Sequence, residues 1–392
     1  MTLDEAKTKD SQYVLHTYAR APFVLVEGKG MTVTDSQGKS YLDFGSGIAV
    51  NALGHADAEI MAAVAEQMAQ LGHVSNLFLS PAQADLAEML CERSFADRVF
   101  FCNSGAEANE AAIKFARKFG TTVHYPGKTD VLAFSDAFHG RTFGALSITP
   151  REKYQAPFRP LMPGAAISPF NDVEAAEKMI GPGTCAVFVE PVQGEGGIHA
   201  ATPEFLKALR ALCDHYGALL VFDEVQCGLG RTGKLWAYEH YGVEPDIMTL
   251  AKSLGGGLPM GATLVRQKVA DVIHPGDHGS TFAAGPVISR AAQVLLKRVS
   301  DPDMLAHVGR MGALIKAGVE DLKSRHVREV RGLGLIMGVE LDIEAGPVVE
   351  RGYQEGIIML SAGPNVLRLL PPLIVEEDHA EQMVNVLERI LR

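Results

Sequence analysis

The chain has 392 residues, 47% of them hydrophobic, enough apolar material for a sizeable core and for two or three domains of ~100–200 residues. Its 36 Lys and Arg against 47 Asp and Glu leave a formal net charge of −11, and without a basic block this argues against nucleic acid and anionic membrane surfaces as partners. The five cysteines form no C-x-x-C pair, no H-E-x-x-H occurs, the polar start MTLDEAKTKDSQ lacks an apolar signal core, and no apolar run approaches the ~18 residues of a membrane span. A soluble, cytoplasmic protein with reduced thiols and no metal is expected.

In chain order, short apolar runs read as strands buried on both faces: Arg98–Phe101, Val131–Phe134, Ala186–Val189, Leu219–Phe222 and Ile247–Leu250. Helical patterns lie between some of them. Ala208, Leu209, Leu212 and Tyr216 share one helix face before Gly217 stops the helix. The alternation predicts an α/β fold: a large domain with a mostly parallel central sheet, over 51–290. From 291 to 392 a helix (Met304–Arg325), a strand-like VREVRGLGLIMGVEL, a helix (Val348–Glu355), the strand VLRLL and a final helix with Ala380, Met383, Val384, Leu387 and Leu391 on one stripe predict a smaller α/β domain. The segment 1–50 is expected to pack with it.

Each strand run ends in polar or glycine-rich residues: CNSGAE, SDAFHGR, EPVQGEGG, DEVQCG and AKSLGGG. Ligands of open α/β sheets sit beyond the carboxyl ends of the strands, so these ends predict a site. Ser104 with Glu107 three residues on is a capping box, and Ala108, Ala111, Ala112, Phe115 and Phe119 continue as an apolar face. A helix starting at Ser104–Gly105–Ala106 straight after a strand offers backbone N–H groups to an anion, although by itself it also reads as an ordinary capped helix. Asp223 and Glu224 close a buried strand, which taken alone is equally well the opening of a turn. Lys252 ends another and precedes three glycines. A lysine there loses hydration and becomes a neutral nucleophile able to condense with an aldehyde; alone it also reads as a side chain reaching out to solvent. Taken together, an aldehyde on a lysine, a phosphate on a helix N-terminus and a carboxylate for a protonated ring nitrogen are pyridoxal phosphate in outline. In that outline Asp223 receives a cationic partner that the protein itself does not supply.

The stretch DEVQCGLGRTGKLWAYEHYGVEPDI…LAKSLGGGLPMGA, with YLDFGSGIAVNALGH, FCNSGAEANEAAIKFAR, FHGRTFGALS, FVEPVQGEGG and DHGSTF in the same order, resembles the class III, or ω-amino-acid, aminotransferases of the fold-type I pyridoxal phosphate enzymes along nearly the whole chain. The resemblance implies that Lys252 carries the cofactor and shuttles the proton, and that Asp223 pairs with the pyridine nitrogen. Val225 and Phe138 would sandwich the ring, Gln226 would meet its phenolic oxygen, and Ser104, Gly105 and Ala106 would hold the phosphate. Glu224 would lie on the cofactor side and Ser280 on the substrate side. Thr281 would reach the phosphate of a neighbouring subunit, which implies a homodimer with shared sites.

The implied substrates are an amino acid and a 2-oxo acid. Arg141 suits the distal carboxylate through a bidentate fork. Arg368 would take the carboxylate beside the reacting carbon of 2-oxoglutarate. Glu195 matches the family glutamate that pairs with this arginine while a terminal amine is bound, and then moves away. Tyr18 matches a tyrosine near the carboxylate end. The segment GIAVNALGH and the RGLGLIMGVEL–LRLLPPL ending look most like the branch that acts on acetylornithine, with the ornithine and 4-aminobutyrate branches as rivals. An aminomutase or decarboxylase on the same fold, and a non-catalytic cofactor-binding regulator, are readings of a different class. Two departures stand out: GHADA (Gly54–Ala58) where the family commonly has GHCHP, and AAGP (Ala283–Pro286) where it often has GGNP.

Overall fold

In a computed structural model, which describes residues 1–392, a seven-stranded sheet runs in the order Arg98–Cys102, Gly261–Val265, Ile247–Leu250, Leu219–Asp223, Thr184–Val189, Asp130–Phe134, Ala165–Ser168. Only Gly261–Val265 runs antiparallel to its neighbours. Every residue of Thr184–Val189, Leu219–Asp223 and Ile247–Leu250 is buried, which is why these segments read as unbroken apolar runs rather than alternating ones.

Two strands were not legible in the sequence. Ala165–Ser168 carries two alanines. Gly261–Val265 packs against the helix Gly105–Phe119, where Thr263 Oγ1 donates to the Ala108 carbonyl at 2.9 Å. That close approach selects small residues, and small residues give no strand signal. The helix Pro203–Tyr216 ends at Gly217, whose φ of 65° is the left-handed cap a glycine adopts freely. Its buried face is Phe205, Leu206, Leu209 and Cys213; Leu212 and Tyr216 lie at the margin.

The C-terminal part differs in detail from the expectation. VREVRGLGLIMGVEL is a hairpin of two strands, Val327–Leu333 and Ile336–Leu341, not one strand. Val366–Leu369 lies antiparallel on the second of these and sets Arg368 opposite Gly338. The preceding helices run Pro302–Glu320 and Ala345–Gln354, and the final helix, Glu377–Ile390, buries Ala380, Met383, Val386, Leu387 and Ile390. Near the N-terminus Leu25–Lys29, Thr32–Asp35 and Ser40–Asp43 form a meander, and Ile357–Ile358 adds to it in parallel. No helix is long and apolar enough to cross a membrane.

The two departures have local consequences. In GHADA, Asp57 caps the helix Ala58–Gln70, accepting from the N–H groups of Glu59 and Ile60. In AAGP, Ala284 sits at φ 45°, a conformation that costs a residue with a Cβ on the order of 1–2 kcal/mol relative to the right-handed region. Buried Arg231 joins the loop after Asp223 to the C-terminal strands. Its guanidinium donates to the carbonyls of Leu335 and Pro371, and burial lowers its pKa to about 9. This tie fixes the strand bearing Arg368 relative to the one bearing Asp223.

Candidate active site

Beyond the carboxyl ends of the parallel strands opens a cavity of about 470 Å³, lined among others by Ser104, Gly105, Ala106, Phe138, Arg141, Glu195, Asp223, Val225, Gln226 and Lys252. Adjacent strand ends deliver the acids. Phe222 pairs with Val189, so the next residues, Asp223 and Glu190, are neighbours. Lys252 follows Ile247–Leu250, on the other side of Asp223.

Lys252 is held at φ 45°. Burial, and then the positive charge of Arg368, lower its pKa to about 8. The amine is thus half neutral near pH 8, where an ordinary lysine (pKa ~10.4) is almost wholly charged. An amine-directed aldehyde with borohydride is therefore expected to label Lys252 in the cofactor-free protein with a half-maximum near pH 8, read by peptide mass. Half-maximal labelling near pH 10 would show an ordinary surface amine.

Asp223 departs from the expectation. Its partner is already present in the chain: His139 Nδ1 lies 2.8 Å from Asp223 Oδ2. Asn109 Nδ2 donates to the same oxygen at 2.7 Å, and the Val225 N–H donates to Oδ1 at 3.0 Å. Thr249 Oγ1 in turn donates to Asn109 Oδ1. Burial alone would lower the His139 pKa, but the hydrogen bond and charge of Asp223, with the charge of Glu190, raise it. His139 Nε2 is buried without a partner. Glu190 accepts from the N–H groups of Phe138 and Gly194, and burial raises its pKa.

Sequence reasoning missed His139, Asn109 and Glu190. The available signals were weak: His139 follows Phe138 in FHGR, Glu190 opens EPVQGEGG at the strand end next to Asp223, and Asn109 is a polar residue on an alanine-rich helix face.

The helix Gly105–Phe119 is capped by the Ser104 hydroxyl, which accepts from the Glu107 N–H. The reciprocal half of the expected capping box is displaced by one residue: Glu107 accepts from the N–H of Asn103 at 2.6 Å. The first-turn N–H groups of Gly105 and Ala106 have no carbonyl within the helix to bind, and both residues line the cavity. Position 105 requires glycine, because a Cβ there would lie 2.7 Å from Val225 Cγ1.

Arg141 stacks on the Tyr154 ring, 3.5 Å from its centroid, with Phe138 at 5.6 Å, and is exposed at the cavity mouth. Arg368 stands behind the lining. It is paired with the Glu195 carboxylate and also donates to the Gly194 carbonyl and to Gln226 Oε1. Burial would raise the Glu195 pKa, but the charge and hydrogen bond of Arg368 lower it.

Other candidates do not converge on this cavity. Glu224 is turned away: both its oxygens accept from the N–H groups of Ala237 and Tyr238, and burial pushes its pKa up to about 8. Its role is to cap that turn. Ser280 and Thr281 line a second hollow with Ser75 and Asn76, although Ser280 Oγ accepts from Asn103 Nδ2 at 2.9 Å. Tyr18 is exposed and outside the cavity lining.

The residues fit pyridoxal phosphate: a depressed amine, Phe138 and Val225 in the cavity wall, a buried carboxylate in the same lining, and a helix N-terminus. The model for "Aminotransferase class-III" matches residues 13–391. The mitochondrial acetylornithine aminotransferase of Alnus glutinosa is 53% identical over 96% of this chain and 85% of its own length. Among solved structures, the ornithine aminotransferase of Toxoplasma gondii, described with partial occupancy of PLP at its active site, superposes with a TM-score of 0.96 at 34% identity, covering 100% of this chain and 94% of that one. The N-acetylornithine aminotransferase of Stenotrophomonas maltophilia gives 0.85 at 38% identity, with 96% of each chain covered.

Proposed function

The chain belongs to the class III aminotransferases, the pyridoxal phosphate enzymes of fold-type I, and on that premise we propose that it moves the terminal amino group of N-acetylornithine to 2-oxoglutarate. The observation that carries the two-substrate reading is the ion pair between Glu195 and Arg368 beside Lys252. A terminal amine brings no carboxylate to the reacting carbon, so an unpaired buried arginine there would be costly; Glu195 covers it. A 2-oxo acid does bring one, and Glu195 must then leave. A mutase or decarboxylase has no need of such a removable partner.

When bound, the cofactor supplies an electrophilic carbonyl and a cationic ring that takes up negative charge from the substrate carbon. Lys252, partly neutral at working pH, would take the proton from that carbon and deliver it to the former aldehyde carbon of the cofactor, so that the amino group changes hands. Asp223, oriented by His139 and Asn109, keeps the ring nitrogen protonated. Phe138 and Val225 would hold the ring, and the N–H groups at Ser104–Ala106 would hold the phosphate. Gln226, beside Arg368, would meet the phenolic oxygen. Arg141, braced on Tyr154, receives the far carboxylate. Acylation of the donor's inner nitrogen removes a positive charge that would otherwise sit next to that guanidinium, which supports an acylated donor, as does the Alnus relative.

We also propose a homodimer. Leu77, Phe78, Leu79 and Phe282 are exposed apolar residues around the hollow that holds Ser280 and Thr281, and a second copy would cover them and receive Thr281 at its phosphate. Tyr18, exposed and outside the lining of its own cavity, is assigned to the substrate side of such an assembly.

The test is to add N-acetylornithine alone to the loaded enzyme and follow its visible absorbance, then repeat with free ornithine and 4-aminobutyrate. Fast, complete conversion by the acetylated donor is expected; preference for either rival donor would refute the assignment. Glu195→Gln should raise KM for N-acetylornithine on the order of 10-fold by exposing Arg368, while the 2-oxoglutarate half-reaction keeps its affinity. Equal effects on both half-reactions, measured separately, would count against the gate.

A further inference from the structure

A second, smaller cavity of about 200 Å³ lies behind the first, and Glu195 lines both. Its polar walls include Asp136, Arg151, His199, Arg331 and Glu340. We propose that Arg151 is the second seat of the Glu195 carboxylate, which rotates into this cavity when a 2-oxo acid takes Arg368. The proposal rests on the reading of Glu195 and Arg368 as a gate.

Three observations point to Arg151. First, its Nη2 donates to the Glu195 main-chain carbonyl at 2.7 Å, so the guanidinium already lies beside the residue that must move. A rotation of the Glu195 side chain suffices and the loop need not shift. Second, Arg151 forms no ion pair, and its Nε is buried with no hydrogen-bond partner. The other guanidinium in the cavity, Arg331, is occupied by Glu329, Glu340 and the Gly197 carbonyl. Third, the cavity is polar and adjoins the present position of the carboxylate, so the move needs no passage through an apolar wall.

The acids Asp136 and Glu340 would repel an incoming carboxylate that met no unpaired cation. A half-buried carboxylate stripped of one arginine is costly unless another receives it. Arg151 supplies that cation, and so sets how readily the gate yields to the 2-oxo acid. It touches no reacting atom and is a positioning residue.

Arg151→Met is expected to raise KM for 2-oxoglutarate, and to weaken glutarate binding by calorimetry, about tenfold. The single-turnover rate with N-acetylornithine should change less than twofold. Arg151→Lys should restore most of the loss. In a Glu195→Ala background the Arg151→Met change should have no further effect, because no carboxylate remains to be seated. Equal slowing of both half-reactions, or an undiminished effect in the Glu195→Ala background, would overturn the assignment in favour of a scaffold role. If Glu195→Ala alone fails to alter the balance between donor and acceptor, the gate itself falls. If it does alter that balance while Arg151→Met leaves acceptor binding unchanged, only the seat falls.

Discussion

Lys252→Ala is expected to abolish transamination, with both half-reactions slowed by more than about 10⁴-fold, because one amine is at once the anchor of the cofactor and the carrier of the proton. The geometry leaves no substitute. Lys252 is the lysine of the cavity lining, and burial together with Arg368 holds its pKa at about 8. Added methylamine should recover part of the donor half-reaction by replacing the mobile base, but not the tether. Borohydride treatment should fix a cofactor-derived mass at position 252 in the wild type and nowhere in the variant. Undiminished turnover by Lys252→Ala would end the catalytic reading.

The same variant carries a stability signature of definite sign. A folded pKa of about 8 means that the native state holds its proton less tightly than the unfolded chain, whose lysines titrate near ~10.4. The penalty is fully present below pH 8 and disappears as pH rises toward ~10.4. Cofactor-free Lys252→Ala should therefore resist denaturant better than cofactor-free wild type at pH 7. The gap should narrow at pH 9.5. A gap that widens with pH would show that the lysine is not buried at the cost inferred here.

How far the sequence reveals this site depends on what made each residue visible. Asp223 and Lys252 stood out because each follows a run whose residues are all buried, so a charge at its end is conspicuous. The helix start at Ser104 was visible through its cap, a local hydrogen bond with a sequence signature. His139, Asn109 and Glu190 were not, because three separate segments bring them to Asp223 and nothing local marks them. The strand Gly261–Val265 escaped because the packing of the adjacent helix demands small residues there. Glu224 shows the converse: it adjoins Asp223 in sequence, but successive residues leaving the strand face opposite ways, and its carboxylate accepts from Ala237 and Tyr238. The class III resemblance was carried by motifs spread over the chain, and the family match spans 13–391.

Asp223→Asn should slow both half-reactions by at least about 10²-fold, since a charge-assisted hydrogen bond of ~1.5–3 kcal/mol to the ring nitrogen is lost together with the means of keeping that nitrogen protonated. Lys252 should still be labelled, which separates this variant from Lys252→Ala. An amide at 223 has one acceptor oxygen, so it can keep the hydrogen bond from Asn109 or the one from the Val225 N–H but not both, which adds a loss of stability that does not vary with pH. What cannot survive is the raised pKa of His139, which exists because the hydrogen bond and charge of Asp223 outweigh burial. Stability from that pair is fully present below the unfolded histidine value of ~6.5 and is lost as pH climbs through the raised folded value. The stability difference between wild type and Asp223→Asn, measured by denaturant titration of the cofactor-free proteins, should thus be largest near pH 6 and smaller at pH 9. A difference independent of pH would mean that His139 stays neutral and merely packs against the carboxylate. A variant whose turnover falls less than threefold would mean that the buried aspartate does not hold the ring proton at all.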